Sequence, residues 1–185
     1  MSKRGITLYL HVHQPYRLRD YTVFDTANTH DYFVDPDPLS GRNNEKIFRK
    51  VADKSYRPMN QLLEKLLQTH PDFKVSLSIT GTLLEQAEQW GQDVIDSFRR
   101  LVETGRVEIV AETYHHSLAF FYSRAEFESQ VEAHKAKIRE LFGVETSVFR
   151  NTELAYNDEL AQWADQYGFK GILAEGWDPV LDWRS

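Results

Sequence analysis

The chain has 185 residues, 41% of them hydrophobic and 27% charged, with a formal net charge of -6 from 28 acidic against 22 basic residues. This is the balance of a globular protein with a real core, and without a block of like charge to track a phosphate backbone it excludes nucleic acid as a partner. There is no cysteine, so a disulfide framework and thiolate metal sites are excluded, while the lack of a long apolar window or a signal-peptide pattern leads to the expectation of a cytoplasmic protein with no membrane contact.

Ile6 to His13 (ITLYLHVH) is rich in β-branched and aromatic residues and stops at Gln14-Pro15, which predicts a first strand. Tyr16 to Asn44 carries Asp, Asn, Pro and Gly without a period, and its length fits a lid or site loop. From Glu45 to Thr69 the apolar residues Ile47, Val51, Met59, Leu62, Leu63, Leu66 and Leu67 recur at helical spacing, with Pro58 suited to the first turn of the second of two helical pieces. Phe73 to Thr80 alternates as a second strand, and Leu83 to Val102 repeats as its helix, with Gly105 as a C-terminal cap. Arg106 to Ala111 predicts a third strand. Ser123 with Glu126 three residues on forms a capping box for a helix running to Phe142 and closed by Gly143. Thr146 to Phe149 is a fourth strand, Asn157 to Tyr167 a helix ended by Gly168, and Lys170 to Ala174 a fifth strand.

Strand and helix alternate throughout, which demands an α/β fold of parallel strands with right-handed crossovers, either a doubly wound sheet or a barrel. In both, chemistry belongs at the carboxyl ends of the strands. Gly81 and Gly105 stand alone rather than in a phosphate-binding fingerprint, so no dinucleotide or other cofactor is expected.

Just after the predicted strands come His11, His13 and Gln14; Glu112, Tyr114, His115 and His116; Arg150, Asn151 and Glu153; and Glu175 and Trp177. One polar residue at a strand end is ordinary, but several histidines and carboxylates on one rim point to a site. His11 and His13, two apart, share one strand face and could hold a metal as in amidohydrolases. The favoured reading of the pair keeps His11 as a hydrogen-bonded core residue with only His13 on the rim, and no metal. Glu153 reads equally as a carboxylate nucleophile, kept ionised by Arg150 and Asn151 nearby in sequence, or as an acid in a helix N-terminal turn. The aromatic residues after the strands, Tyr114, Phe120, Phe121, Tyr122 and Trp177, suit stacking on sugar faces as a cluster, though singly each reads as core.

Three blocks carry a family resemblance: His13-Gln14-Pro15, Gly105 to Val110 leading into Tyr114-His115-His116-Ser117, and Phe149-Arg150-Asn151-Thr152-Glu153. In kind and order they resemble the first three conserved regions of glycoside hydrolase family 57, most closely its α-amylase group rather than the 4-α-glucanotransferases or branching enzymes. The resemblance implies that residues 1–185 are the N-terminal portion of that family's catalytic domain, a partial (β/α)7 barrel with about five strands present. It implies a retaining mechanism on α-1,4-glucans or maltooligosaccharides, with Glu153 as the nucleophile. His13 would then bind sugar hydroxyls, with His115, Asn151 and a stacking Trp177 as further substrate contacts. His116, a further substrate contact by the same resemblance, stands where some members have a substrate-binding glutamate. The family's acid/base aspartate falls after the matched regions, so the expectation is an inactive piece of a longer enzyme, with a homo-oligomer possible. Two competing expectations are a metal-dependent deacetylase or amidohydrolase using His11 and His13, and a non-catalytic carbohydrate-binding fragment.

Overall fold

Alternation and β-branched content give five short strands: β1 (Tyr9–Val12), β2 (Val75–Ile79), β3 (Val107–Ile109), β4 (Val148–Arg150) and β5 (Gly171–Leu173). Between them run α1 (Asn44–Val51), α2 (Arg57–Thr69), α3 (Gly81–Trp90), α4 (Gln92–Glu103), α5 (Arg124–Phe142) and α6 (Asp158–Tyr167). The computed structural model describes residues 5–26, 28–35, 37 and 39–176. β1, β2 and β3 are neighbours in one sheet, and β4 and β5 pair in parallel with Phe149 opposite Ile172. A parallel bridge from Ala111 to Phe149 links the two sets, so spatial order follows chain order. Helical crossovers between strands that neighbour in sequence give the parallel α/β arrangement of a partial barrel.

The chain divides into two compact units. The first holds residues 5–11, 75–81 and 108–176, and with them α5, α6 and the strands apart from Val12 and Val107. Its core is an aromatic cluster in which the ring of Trp163 meets Phe127 at 4.6 Å and Phe149 at 5.1 Å, edge to face. Both helices carry the caps read from sequence. Ser123 Oγ accepts from Glu126 N and Asn157 Oδ1 from Leu160 N, while Gly143 and Gly168 close the C-termini at φ +69 and +90. In α5, His134 is completely buried, with its Nε2 donating to the Ile79 carbonyl (2.9 Å) and its Nδ1 accepting from Glu112 N (3.5 Å).

The second unit holds residues 12–74 and 82–107, with α1, α2 and α4 and almost all of α3. α2 packs on α4, joined by a two-pronged Arg57–Asp93 pair (2.7 and 3.0 Å) and an Asn60–Ser97 hydrogen bond (2.8 Å). The two helical pieces expected between Glu45 and Thr69 are present, with Pro58 in the first turn of α2. Between them Ala52–Tyr56 forms a π-helical turn. The single helix expected from Leu83 to Val102 is two helices, α3 and α4, broken at Gly91. A Cβ at Gly91 would stand 2.6 Å from the Phe48 ring, so ring packing sets the break, which apolar spacing does not report. No helix among the described residues is long and apolar enough to cross a membrane.

Candidate active site

Four side chains of the first unit meet at the carboxyl ends of its strands. His11 lies within β1, Glu112 and His116 follow β3, and Arg150 ends β4. Oxygen Oε2 of Glu112 receives His11 Nε2 at 3.2 Å, His116 Nδ1 at 3.6 Å and Arg150 Nη1 at 3.8 Å. The far side of His116 reaches outward, its Nε2 donating to Glu153 Oε1 at 3.0 Å. Burial falls steeply along this line, with side-chain exposure of 0% at Glu112, 14% at His116 and 73% at Glu153.

The loops are shaped for this contact. His116 and Glu153 have φ of +55 and +56, and Leu154 has +57, in the left-handed region that non-glycine residues avoid. Glu153 stands in a tight turn, Thr152–Leu154, closed by Leu154 N donating to Asn151 O at 3.0 Å. The buried hydroxyls of Thr113 and Thr152 are hydrogen-bonded at 3.1 Å, tying the loop that carries His116 to the turn that carries Glu153.

Charge states follow from these contacts. Burial is the largest single influence on Glu112 and pushes its carboxyl up. The contacts from His11 and His116, with the positive charge around them, outweigh it and hold the group at about 2. His116 is raised, first by its contact with Glu112 and further by Glu153. Glu153 is held below the usual carboxylate range by the hydrogen bond and charge of His116, with a smaller contribution from Arg150. Burial depresses His134.

Of the residues singled out from sequence, the structure brings together His116 and Glu153. Asn151 is completely buried and its amide donates to the Ala155 carbonyl, closing the turn, so His116 rather than Asn151 supplies the donor beside Glu153. His115 is exposed, its main-chain N–H donating to Gln130 and its ring edge-on to Tyr114. His13 is partly buried in the second unit, and Trp177 lies outside the described residues. His11, favoured as a core histidine, retains 23% side-chain exposure and joins the cluster, and Glu112, noted only as one polar residue after a strand, is its centre. Donor atoms of His11, Glu112 and His116 lie within 4.8 Å of one another, a set that could hold a divalent cation, although the Arg150 guanidinium already brings fixed positive charge to the same carboxylate oxygen.

Residues 7–185 match the model of glycosyl hydrolase family 57. A protein of Methanocaldococcus jannaschii named as a candidate alpha-amylase is 43% identical over 181 residues, covering 97% of this chain and 38% of its own length. The alpha-amylase of Pyrococcus horikoshii is 26% identical over 133 residues, covering 72% of this chain and 20% of its own. The chain thus spans between a fifth and two fifths of these relatives. Among solved structures, 4-alpha-glucanotransferase from Thermococcus litoralis superposes with a TM-score of 0.66 at 23% identity, covering 90% of this chain and 21% of that one. The alpha-amylase AmyC from Thermotoga maritima gives 0.60 at 14% identity, covering 90% and 38%. The chain belongs to glycosyl hydrolase family 57.

Proposed function

We propose that this chain carries the nucleophile side of a retaining active site for α-1,4-glucans, with Glu153 attacking the anomeric carbon. The observation that supports this most is the His116–Glu153 hydrogen bond: a carboxylate exposed enough to meet substrate, yet paired with a cation that keeps it ionised. In the proposed first step the Glu153 oxygen bonds to the anomeric carbon as the glycosidic oxygen leaves, taking a proton from a second carboxyl group about 5 to 5.5 Å away. Glu112 cannot be that acid. It is buried and ionised near 2, so it has no proton to give at neutral pH. A separate acid/base carboxyl completes the site, and His13, His115, His116 and Trp177 are the proposed substrate contacts; Asn151, buried with its amide committed to the Ala155 carbonyl, is not among them. The substrate class rests on the relatives, named for alpha-amylase and 4-alpha-glucanotransferase activities.

Glu153→Gly tests the role directly in the intact protein. Turnover of a maltooligosaccharide falls by about 100-fold or more, and azide restores cleavage of an activated α-glucoside, yielding the β-glucosyl azide. Turnover within tenfold of the parent overturns the assignment. The 185-residue chain alone is expected to show no turnover, and clear release of maltose from maltoheptaose by it overturns the need for a further acid. A second reading, a metal-dependent hydrolase, draws on the convergence of His11, Glu112 and His116; activity lost to a chelator and restored by zinc would favour it.

A further inference from the structure

A carboxylate without solvent contact at a strand end costs several kcal/mol in desolvation, a cost that an apolar residue of similar volume avoids. Glu112 is such a group, and its surroundings point to a task other than stability. Two imidazoles and a guanidinium, from β1, from the loop after β3 and from the end of β4, converge on one oxygen. Of the three, His116 carries a hydrogen bond onward from Glu112 to a solvent-facing carboxylate. His116 turns Nδ1 inward to Glu112 and Nε2 outward to Glu153, so its ring spans two carboxylates.

We propose that Glu112 is a positioning residue that orients the His116 ring and, through it, fixes the Glu153 carboxylate for attack. The proposal rests on the reading of Glu153 as nucleophile. A negative oxygen beside Nδ1 favours an N–H there, so both ring nitrogens carry protons and Nε2 is committed as the donor to Glu153. The relay is anchored at its inner end. The Glu112 main-chain N–H is held by His134, which is itself fixed to the Ile79 carbonyl. It is also braced along its length: the Thr113–Thr152 bond fixes the spacing of the two loops, and both His116 and Glu153 sit in left-handed backbone that only a well-determined loop sustains. His116 faces Glu112, Glu153, Arg150 and the His11 ring, whose centroid is 4.8 Å away. Glu112 faces His11, His116, Arg150, His134 and, at longer range, Tyr9. With His116 protonated, two carboxylates balance two cations along the line Arg150, Glu112, His116, Glu153.

The test is Glu112→Gln, which keeps the shape and removes the charge. In the intact protein kcat falls by about 10- to 100-fold as the charge contact that orients the His116 ring is lost, with KM within about twofold because Glu112 touches no substrate. The acid limb of kcat/KM moves to higher pH as Glu153 loses its protonated partner. In the 185-residue chain, nitrogen-15 NMR shows the His116 titration midpoint falling. In a His116→Gln background the same change moves the acid limb no further. An unchanged His116 midpoint overturns the proposal whatever the activity, and a lowered midpoint with unchanged kcat and acid limb overturns it too. Should Glu112→Gln not fold, Glu112→Asp keeps the charge beside Arg150 but shortens the reach to His116; lowered kcat and midpoint support the relay, and unchanged values overturn it. Azide rescue of Glu153→Gly judges the nucleophile separately, so the two readings fail independently.

Discussion

Glu153 combines an exposed side chain with a left-handed backbone, a conformation that costs a non-glycine, non-asparagine residue on the order of 1 kcal/mol or more. Replacing it by Asn removes the proposed nucleophile but suits the backbone. Glu153→Asn is therefore expected to abolish turnover while unfolding in urea no earlier than the parent; a midpoint clearly lower than the parent's would show that the strain is not local to this residue. A second residue-scale expectation concerns Gly81. A Cβ there would lie 2.5 Å from the Tyr114 ring, inside any allowed contact, so Gly81→Ala forces the ring or the start of α3 to move. A loss of about 1 to 3 kcal/mol in denaturant unfolding is expected. Part of the candidate site is legible at this scale. His116 and Glu153 were singled out because chemistry collects after parallel strands, and the structure pairs them. Glu112 stands in the same rim group, but its central place is not readable there, because it depends on His11, far earlier in the chain, and on Arg150, far later. Sequence spacing says nothing of a residue whose partners come from three strand ends.

At the scale of elements, α5 and α6 were readable to within a residue because their ends are written in local chemistry: Ser123, Asn157, Gly143 and Gly168 act on their own helices. Ser123→Ala is expected to lose about 1 kcal/mol, and Gly143→Ala, which forces a Cβ into left-handed backbone, a similar amount, both read from urea midpoints. Trp163→Ala removes the ring shared by Phe127 and Phe149 and should cost about 3 to 5 kcal/mol, enough to leave the unit partly unfolded. The break at Gly91 and the π-helical turn before α2 were not legible. Both follow from how side chains such as Phe48 and Tyr56 pack within the second unit, and apolar periodicity runs through such features unchanged.

For the molecule as a whole, the buried titrating groups bound the pH range of stability from both sides. His134 is depressed below its ordinary 6.5, so as pH drops below 6.5 the unfolded chain takes up a proton that the folded chain refuses, and stability falls. Glu112, at about 2 against an ordinary 4.5, adds stability that is complete above 4.5 and is lost as pH falls from there toward 2. His116 works in the other direction: raised above 6.5, it stabilises below that value and loses this contribution as pH climbs through its raised midpoint. Urea midpoints across pH 3 to 9 should therefore form a dome, and His134→Gln should flatten the limb between roughly 6.5 and 5. An unchanged slope in that variant would assign the limb to other groups.

The graded burial along the Glu112, His116 and Glu153 line has a consequence for ionic strength. Mobile ions screen exposed charges over about 8 Å at 0.15 M salt and about 3 Å at 1 M, but they do not enter a sealed pair. Glu112 has no surface for a counterion to approach, whereas Glu153 has most of its carboxylate in solvent. Added salt should therefore weaken the outer contact and spare the inner one. The acid limb of the activity profile would drift upward with sodium chloride, while the Glu112–His116 contact persists, so one chain of three groups has an end that answers to its medium and an end that does not.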